Sequence, residues 1–325
     1  MILDFDDACW SIEDDDWNRS LIEILTLLTH REQHAILAES NLMLQWVKKR
    51  LELYDEYFKG RLSGAQPRSK ALNLTISPDG MSEVIADPPW RLTAKAAYTI
   101  VEAPLRLILE NDRSDHAFAN ATIPGFHNWC SKQHLSVEMG GGGAMGTKIK
   151  DAADDHVKRW RTFFMFDSDR LHPSEFAQGW KPPRGDGCQG HVFENVCANL
   201  PRDRWHGLQR RSIENYLPPP LLQNLNAKAT KALQDPKTGE MAKYYNLKGG
   251  LQADGIWPVN PTKAIRASRS QGFWTALPPD FINDLQQGFG AQISEEFNRI
   301  PNNYSWSADV IAEADMLSAA LQDAM

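Results

Sequence analysis

Phe163-Phe164-Met165-Phe166-Asp167-Ser168-Asp169-Arg170 sets four large apolar side chains directly before two carboxylates at i and i+2. An apolar run of strand length, preceded by the basic Lys158, Arg159 and Arg161, reads as a buried strand of a parallel sheet. Its carboxyl end delivers Asp167 and Asp169 to the sheet edge where open α/β sheets place their chemistry. If the strand continues to Asp169, alternation points both acids into one small volume. Two carboxylates that close repel unless a hard cation such as Mg²⁺ lies between them. The alternative is a turn, in which Asp side chains bond the backbone amides just after them.

A second strand-like run, Leu105-Arg106-Leu107-Ile108-Leu109, ends in Glu110 and a polar turn, Asn111 to Asp115. The residues after that turn fit a helix beginning near His116 and capped by Ser114 or Asp115. Downstream, Arg211-Ser212-Ile213-Glu214-Asn215-Tyr216-Leu217 places another acid in a short segment closed by Pro218, Pro219 and Pro220. For Glu214 an acid at a helix start is an equal alternative to a site role.

This set resembles the Toprim family, the metal-dependent domain of type II topoisomerases, bacterial primases and OLD-type nucleases. There an acid-glycine turn follows the first strand and a later strand ends in Asp-x-Asp; Glu110 with Asp115 looks like the former, Asp167 with Asp169 like the latter. The segment Arg211 to Leu217 is similar to one in Toprim-like proteins of bacterial phage defence, where its Glu sits near the metals. The likeness spans about residues 100–220. One departure is Asn111 where the family has Gly, although Asn tolerates left-handed turns better than most residues.

The resemblance implies a mostly parallel Toprim-like α/β core and two-metal phosphodiester hydrolysis of DNA or RNA with Mg²⁺ or Mn²⁺. Asp167 and Asp169 would be the main metal ligands, and Glu110 a ligand or the acceptor of the attacking water's proton. Asp115 and Glu214 would complete a second metal position or hold its ligands. It also implies an anti-phage effector held by a partner ATPase or sensor, and a homo-oligomer is a further expectation. The rival is a catalytically silent Toprim-like subunit that binds nucleic acid or a protein partner. A topoisomerase would need a separate DNA-gate domain, and a primase zinc-ribbon cysteines. A haloacid-dehalogenase-type phosphatase expects Asp-x-Asp early in the chain with Thr or Val two residues on, where this chain has Leu171.

At 325 residues, 42% hydrophobic, the chain can bury a sizeable core. It has no apolar run of membrane-spanning length, and its first residues lack the basic-then-apolar pattern of a signal peptide, so the expected location is the cytoplasm with no membrane contact. Cys9, Cys130, Cys188 and Cys197 form no Cys-x-x-Cys pair, and Cys188, Cys197 and His191 lack a recognisable fourth ligand. A net charge of -7 argues against coating nucleic acid by bulk electrostatics. Lys148, Lys150, Arg159, Arg210 and Arg211 are nevertheless candidates for a basic groove, against the alternative of ordinary solvated faces.

Residues 1–70 read as helical, with Leu21, Ile24, Leu25, Leu28, Ile36, Leu37, Leu42, Leu44, Val47, Leu51 and Tyr54 at helical spacing, a break near 29–33 and a linker over 59–70. The α/β core is expected over 71–220, beginning with a strand at 72–77, and a mostly helical extension over 221–325. Between the two acid-bearing strands, Leu135 to Met139 reads as a strand and Gly140 to Gly146 as a flexible site loop, a pattern also found between strand and helix in Toprim-like proteins. Lys248, in a loop, is a phosphate candidate with nothing to fix its position.

Overall fold

The computed structural model describes residues 1–31, 34–37, 40–51, 72–260, 263–301 and 303–325. Among these, eight strands form two four-stranded sheets whose pairs are all parallel, an α/β fold of the expected class.

The first sheet takes β1 (Ile2–Phe5), β2 (Ala35–Ile36), β3 (Asn73–Met81) and β4 (Trp90–Leu92) in the order β2-β1-β3-β4. Helices α1 (Asp15–Arg31), α2 (Asn41–Arg50) and α3 (Ala94–Glu102) accompany it. Leu21, Ile24, Leu25 and Leu28 of α1 share one buried cluster with Leu3, Leu74, Ile76 and Ile100, so the amphipathic stripe packs into this core.

The expectation of a helical region over 1–70 therefore needs correction. Its helices exist, but Ile2–Phe5 is an interior strand, and a boundary at 70 would cut the sheet between β1 and its neighbour β3. Four residues interrupted by Asp4 are too few for period-two alternation to stand out. Of the break near 29–33, residues 32–33 lie outside the described residues; α1 runs to Arg31, β2 follows at Ala35, and α2 buries Met43, Trp46 and Val47 while Leu42 is exposed. Tyr54 and the linker at 59–70 lie outside the described residues.

The second sheet takes β5 (Leu105–Leu109), β6 (Leu135–Met139), β7 (Thr162–Phe166) and β8 (Trp205–Gly207) in the order β6-β5-β7-β8. Its crossovers carry α4 (Asp112–Thr122), α5 (Phe126–Ser131), α6 (Gly142–Ala153), α7 (Lys158–Arg161) and α8 (Gln189–Cys197). Alternation divides the interior: Leu105, Leu107, Leu109, Phe163 and Met165 enter one core, while Ile108, Phe164 and Phe166 enter another with Met145 and Phe193. Burial on both faces is why these strands read as continuous apolar runs.

The C-terminal third is no separate extension. A 3-10 turn (Ile213–Tyr216), α9 (Pro219–Leu225), α10 (Ala227–Gln234), α11 (Gly250–Ala253), α12 (Ala264–Arg269), α13 (Pro279–Asp284) and α14 (Ala308–Ala324) come after β8. Tyr245, Trp274, Phe297, Leu317 and Leu321 share a single core with Leu107, Phe118 and Phe163. Buried Arg161, immediately before β7, ties three parts of the chain, donating to Ala324 O (3.0 Å), Met325 O (3.0 Å) and Ala103 O (2.7 Å).

Replacing Arg161 with Met would leave those carbonyls unpaired, at roughly 1–3 kcal/mol for each that water cannot reach. Arg161→Met is expected to lower unfolding free energy by about 3 kcal/mol, read from the urea midpoint. A shift within about 0.5 kcal/mol would show the bonds to be dispensable.

Candidate active site

Register places the first acids. Leu109 pairs with Met165, so Glu110, just past β5, stands level with Phe166, one residue before Asp167. Neighbouring strands lie about 4.8 Å apart, so both acids emerge together at the carboxyl edge. Asp115, on the first turn of α4, reaches back to accept the Asn111 N–H (2.8 Å) and the Ser114 hydroxyl (3.2 Å). Asn111 itself is extended, with φ -123°, so no left-handed turn exists here and the family's glycine is not required. The helix begins at Asp112, which puts Ser114 and Asp115 inside it rather than at its cap.

The Asp167–Asp169 geometry differs from simple alternation. The strand stops at Phe166, and Asp169 is left-handed, with φ +53°. This conformation is held from outside: the Asp169 N–H donates to Arg211 O (2.9 Å), and Asp169 O accepts from Arg269 Nη2 (3.1 Å). Arg269 also grips Glu175 with two bonds of 2.9 Å and reaches Asp186 at 3.1 Å. On the other side α8 comes against the turn at Gly190, where a Cβ would lie 2.2 Å from Ser168 O and 2.6 Å from Asp167 O, so only glycine fits. Asp167 Oδ1 accepts the Ile213 N–H at 3.0 Å, which brings the next residue, Glu214, to the site.

Glu110, Asp115, Asp167, Asp169 and Glu214 thus converge from three segments of the chain, and burial with like charge raises the proton affinity of Glu110, Asp115 and Asp167. Burial, with repulsion from Asp169 and Asp115, pushes the Glu110 carboxyl up to about 7. Asp115 is pushed up to about 6 by burial and Glu214, and Asp167 well above its usual range by burial, Glu214 and Glu110. Burial also raises Asp169, against Arg211, the Gly190 N–H and Arg269. Lys248 Nζ lies 2.9 Å from Glu214 Oε1 and so enters the cluster; the pattern around it, a loop Lys beside two glycines, has no spacing that could locate it.

The donors are all hard carboxylate oxygens, the set that suits Mg²⁺ or Mn²⁺. Glu110 Oε2 and Glu214 Oε2 are buried without a hydrogen-bond partner among the described residues, which fits a cation binding there. No group of three or more His, Cys, Asp or Glu is closed to metal-ligand geometry among those residues. Mg²⁺ keeps several waters and needs only one or two direct carboxylates, so an open cup of acids suits it.

Of the glycine run expected to be a flexible loop, Gly142, Gly143 and Gly146 lie within α6. Gly141, at φ +63°, caps that helix, its N–H donates to Glu110 O (3.0 Å), and a Cβ on Gly142 would come 4.0 Å from Glu110 Oε1.

The basic candidates are largely committed elsewhere. Arg211 forms a two-bond pair with Asp254 (2.5 and 2.8 Å), and Arg210 binds Asp309 (2.8 Å) and Asn215 O. Arg159 precedes β7, at the opposite edge of the sheet from the acids, and bonds Asn199 O (2.9 Å) and Asp87. Lys148 donates to Met139 O (2.8 Å) near the carboxyl edge of β6. Lys150 is exposed on α6, about 12 Å along the axis from its start. No family model, curated protein or solved structure matches the chain.

Because the carboxyls are raised, the native state keeps protons that the unfolded chain releases above its ordinary range. The stability this contributes is present at low pH and is lost as pH rises through about 7. In metal-free protein Glu110→Gln is expected to raise stability at pH 8 by up to about 3 kcal/mol and to change little at pH 4, by denaturant titration at both. An equal gain at both pH values would refute ionisation as the cause.

Proposed function

We propose that this chain is a metal-dependent nuclease built on a Toprim-like core, hydrolysing phosphodiester bonds of DNA or RNA. The observation that supports it is the convergence of five carboxylates at one sheet edge, with a buried oxygen of Glu110 and one of Glu214 left without hydrogen-bond partners among the described residues.

In this reading Asp167 and Asp169 are the principal ligands, and the turn pinned by Arg211 and Arg269 sets their spacing. Bound Mg²⁺ or Mn²⁺ supplies Lewis-acid stabilisation of the attacking and leaving oxygens. Glu110 binds metal or accepts the proton of the attacking water at its free Oε2. Asp115 is fixed by the Asn111 amide, and Glu214 is oriented by Lys248. Lys248 is more than a third exposed, so its ammonium can also turn toward a substrate phosphate.

The setting consistent with this activity is an anti-phage effector in the cytoplasm, restrained by a partner ATPase or sensor and assembling as a homo-oligomer. No helix among the described residues is long and apolar enough to cross a membrane.

The second reading, a silent subunit, draws on the Lys248–Glu214 ion pair, which already supplies a cation to the cup. The two readings separate on labelled double-stranded DNA, single-stranded DNA and transfer RNA with Mg²⁺, Mn²⁺ or EDTA. The nuclease is expected to cleave at least one substrate, and Asp167→Ala and Glu110→Ala each to reduce the rate about 10³-fold or more. Wild-type protein that neither cleaves nor shows a carboxylate-dependent melting shift with Mn²⁺ is the silent subunit.

A further inference from the structure

The edge strand β8 opens on a groove that the acid cluster does not use. It is a cavity of about 1010 Å³ bordered by α8 on one side and α14 on the other, with the segment after Asp169 as its rim. That segment carries Phe176, Trp180 and Lys181. Two arginines sit over tryptophan rings in the wall: Arg202 over Trp205 at 4.1 Å and Arg170 over Trp180 at 4.4 Å. Stacking removes rotamer freedom, so these guanidinium groups are oriented before any ligand arrives.

The wall carries three cations and three carboxylates, but they are not paired with one another throughout. Glu194 is neutralised by Arg170 (2.5 Å), Asp203 by Arg204 (2.8 Å) and Glu175 by Arg269 (2.9 Å). Lys181 and Arg202 have no carboxylate within ion-pair distance among the described residues, and Arg202 donates only to Trp205 O (3.3 Å). Arg204 and Arg269 stand behind the wall and hold two of its three carboxylates, so Lys181 and Arg202 are left without a carboxylate partner beside exposed apolar surface from Phe176 and Met316.

We propose that this groove binds a nucleotide unit, its phosphate on Lys181 and Arg202 and its base against the aromatic rim at Phe176 and Trp180. Planar bases stack on aromatic and guanidinium faces whatever their sequence, and fixed arginines recognise phosphate. The ligand is a free nucleotide or a segment of single strand. Asp169 and Arg170 are consecutive, so a strand crossing the carboxyl edge would pass from acid cup to groove; that placement rests on the nuclease reading, whereas nucleotide binding does not.

The test is fluorescence anisotropy with a labelled oligothymidylate in EDTA, which silences metal-dependent cleavage and keeps binding separate from it. Lys181→Glu/Arg202→Glu is expected to weaken binding at least tenfold and to lower the slope of log affinity against log salt by about 0.7, the one phosphate that the two cations share. Lys228→Glu/Lys231→Glu, an equal charge change on exposed residues of α10, should lose less than about threefold. Thymidine monophosphate competing at micromolar concentration identifies a free-nucleotide site; competition only by oligomers identifies a strand path. Equal affinity in the two double variants, or no binding to wild type, overturns the proposal and leaves the strand edge to a protein partner. Should the double variant fail to fold, exposed Lys181→Gln must still weaken binding at least threefold and lower the salt slope.

Discussion

Electrostatic repulsion among Glu110, Asp115, Asp167, Asp169 and Glu214 is the constraint around which the second half of the molecule is organised. Charges of one sign, largely withdrawn from water, separate unless the backbone beneath them is held. Here four of the five are held, each differently. Asp115 rests on the Asn111 amide, Asp167 on the Ile213 amide, Glu214 on Lys248, and Asp169 in a left-handed turn fixed through its own peptide groups. The arginines nearest the cup are spent on this scaffold: Arg211 with Asp254, Arg269 with Glu175 and Asp186. They set geometry and temper the charge on Asp169 without occupying the face where a substrate would approach.

Parts of this are legible in the chain. Phe163 to Phe166 and Leu105 to Leu109 announce buried parallel strands because both faces are covered, and the acids that close them have nowhere to go but the sheet edge. The detailed disposition of Asp169 is hidden, since its φ depends on Arg211 and Arg269, distant partners that no local spacing reveals. The same reason explains why Arg210 and Arg211 pass for groove residues in the sequence: a basic pair looks alike whether it faces solvent or Asp309 and Asp254. Of the first sheet, the strand at 72–77 is legible as β3, whereas β1 and β2 escape notice because they are four and two residues long, below the length at which a period declares itself.

Two glycines serve proximity in the fold, one of them from the run that suggests mobility in the sequence. Gly190 lets α8 touch the Asp167–Ser168 peptide, and Gly141 turns the chain so that α6 starts beside Glu110. Both place helix starts against the acid-bearing edge, where unpaired amides carry partial positive charge and partly offset the carboxylates.

The dependence of Asp169 on Arg269 has a temporal consequence. The two are 100 residues apart in sequence, and Lys248 and Asp254 also lie downstream of all five acids. During synthesis the strands that bear the acids leave the ribosome well before the side chains that shape their turn. A partly made chain therefore has its carboxylates but no ordered cup, and the centre takes its shape only after most of the polypeptide exists.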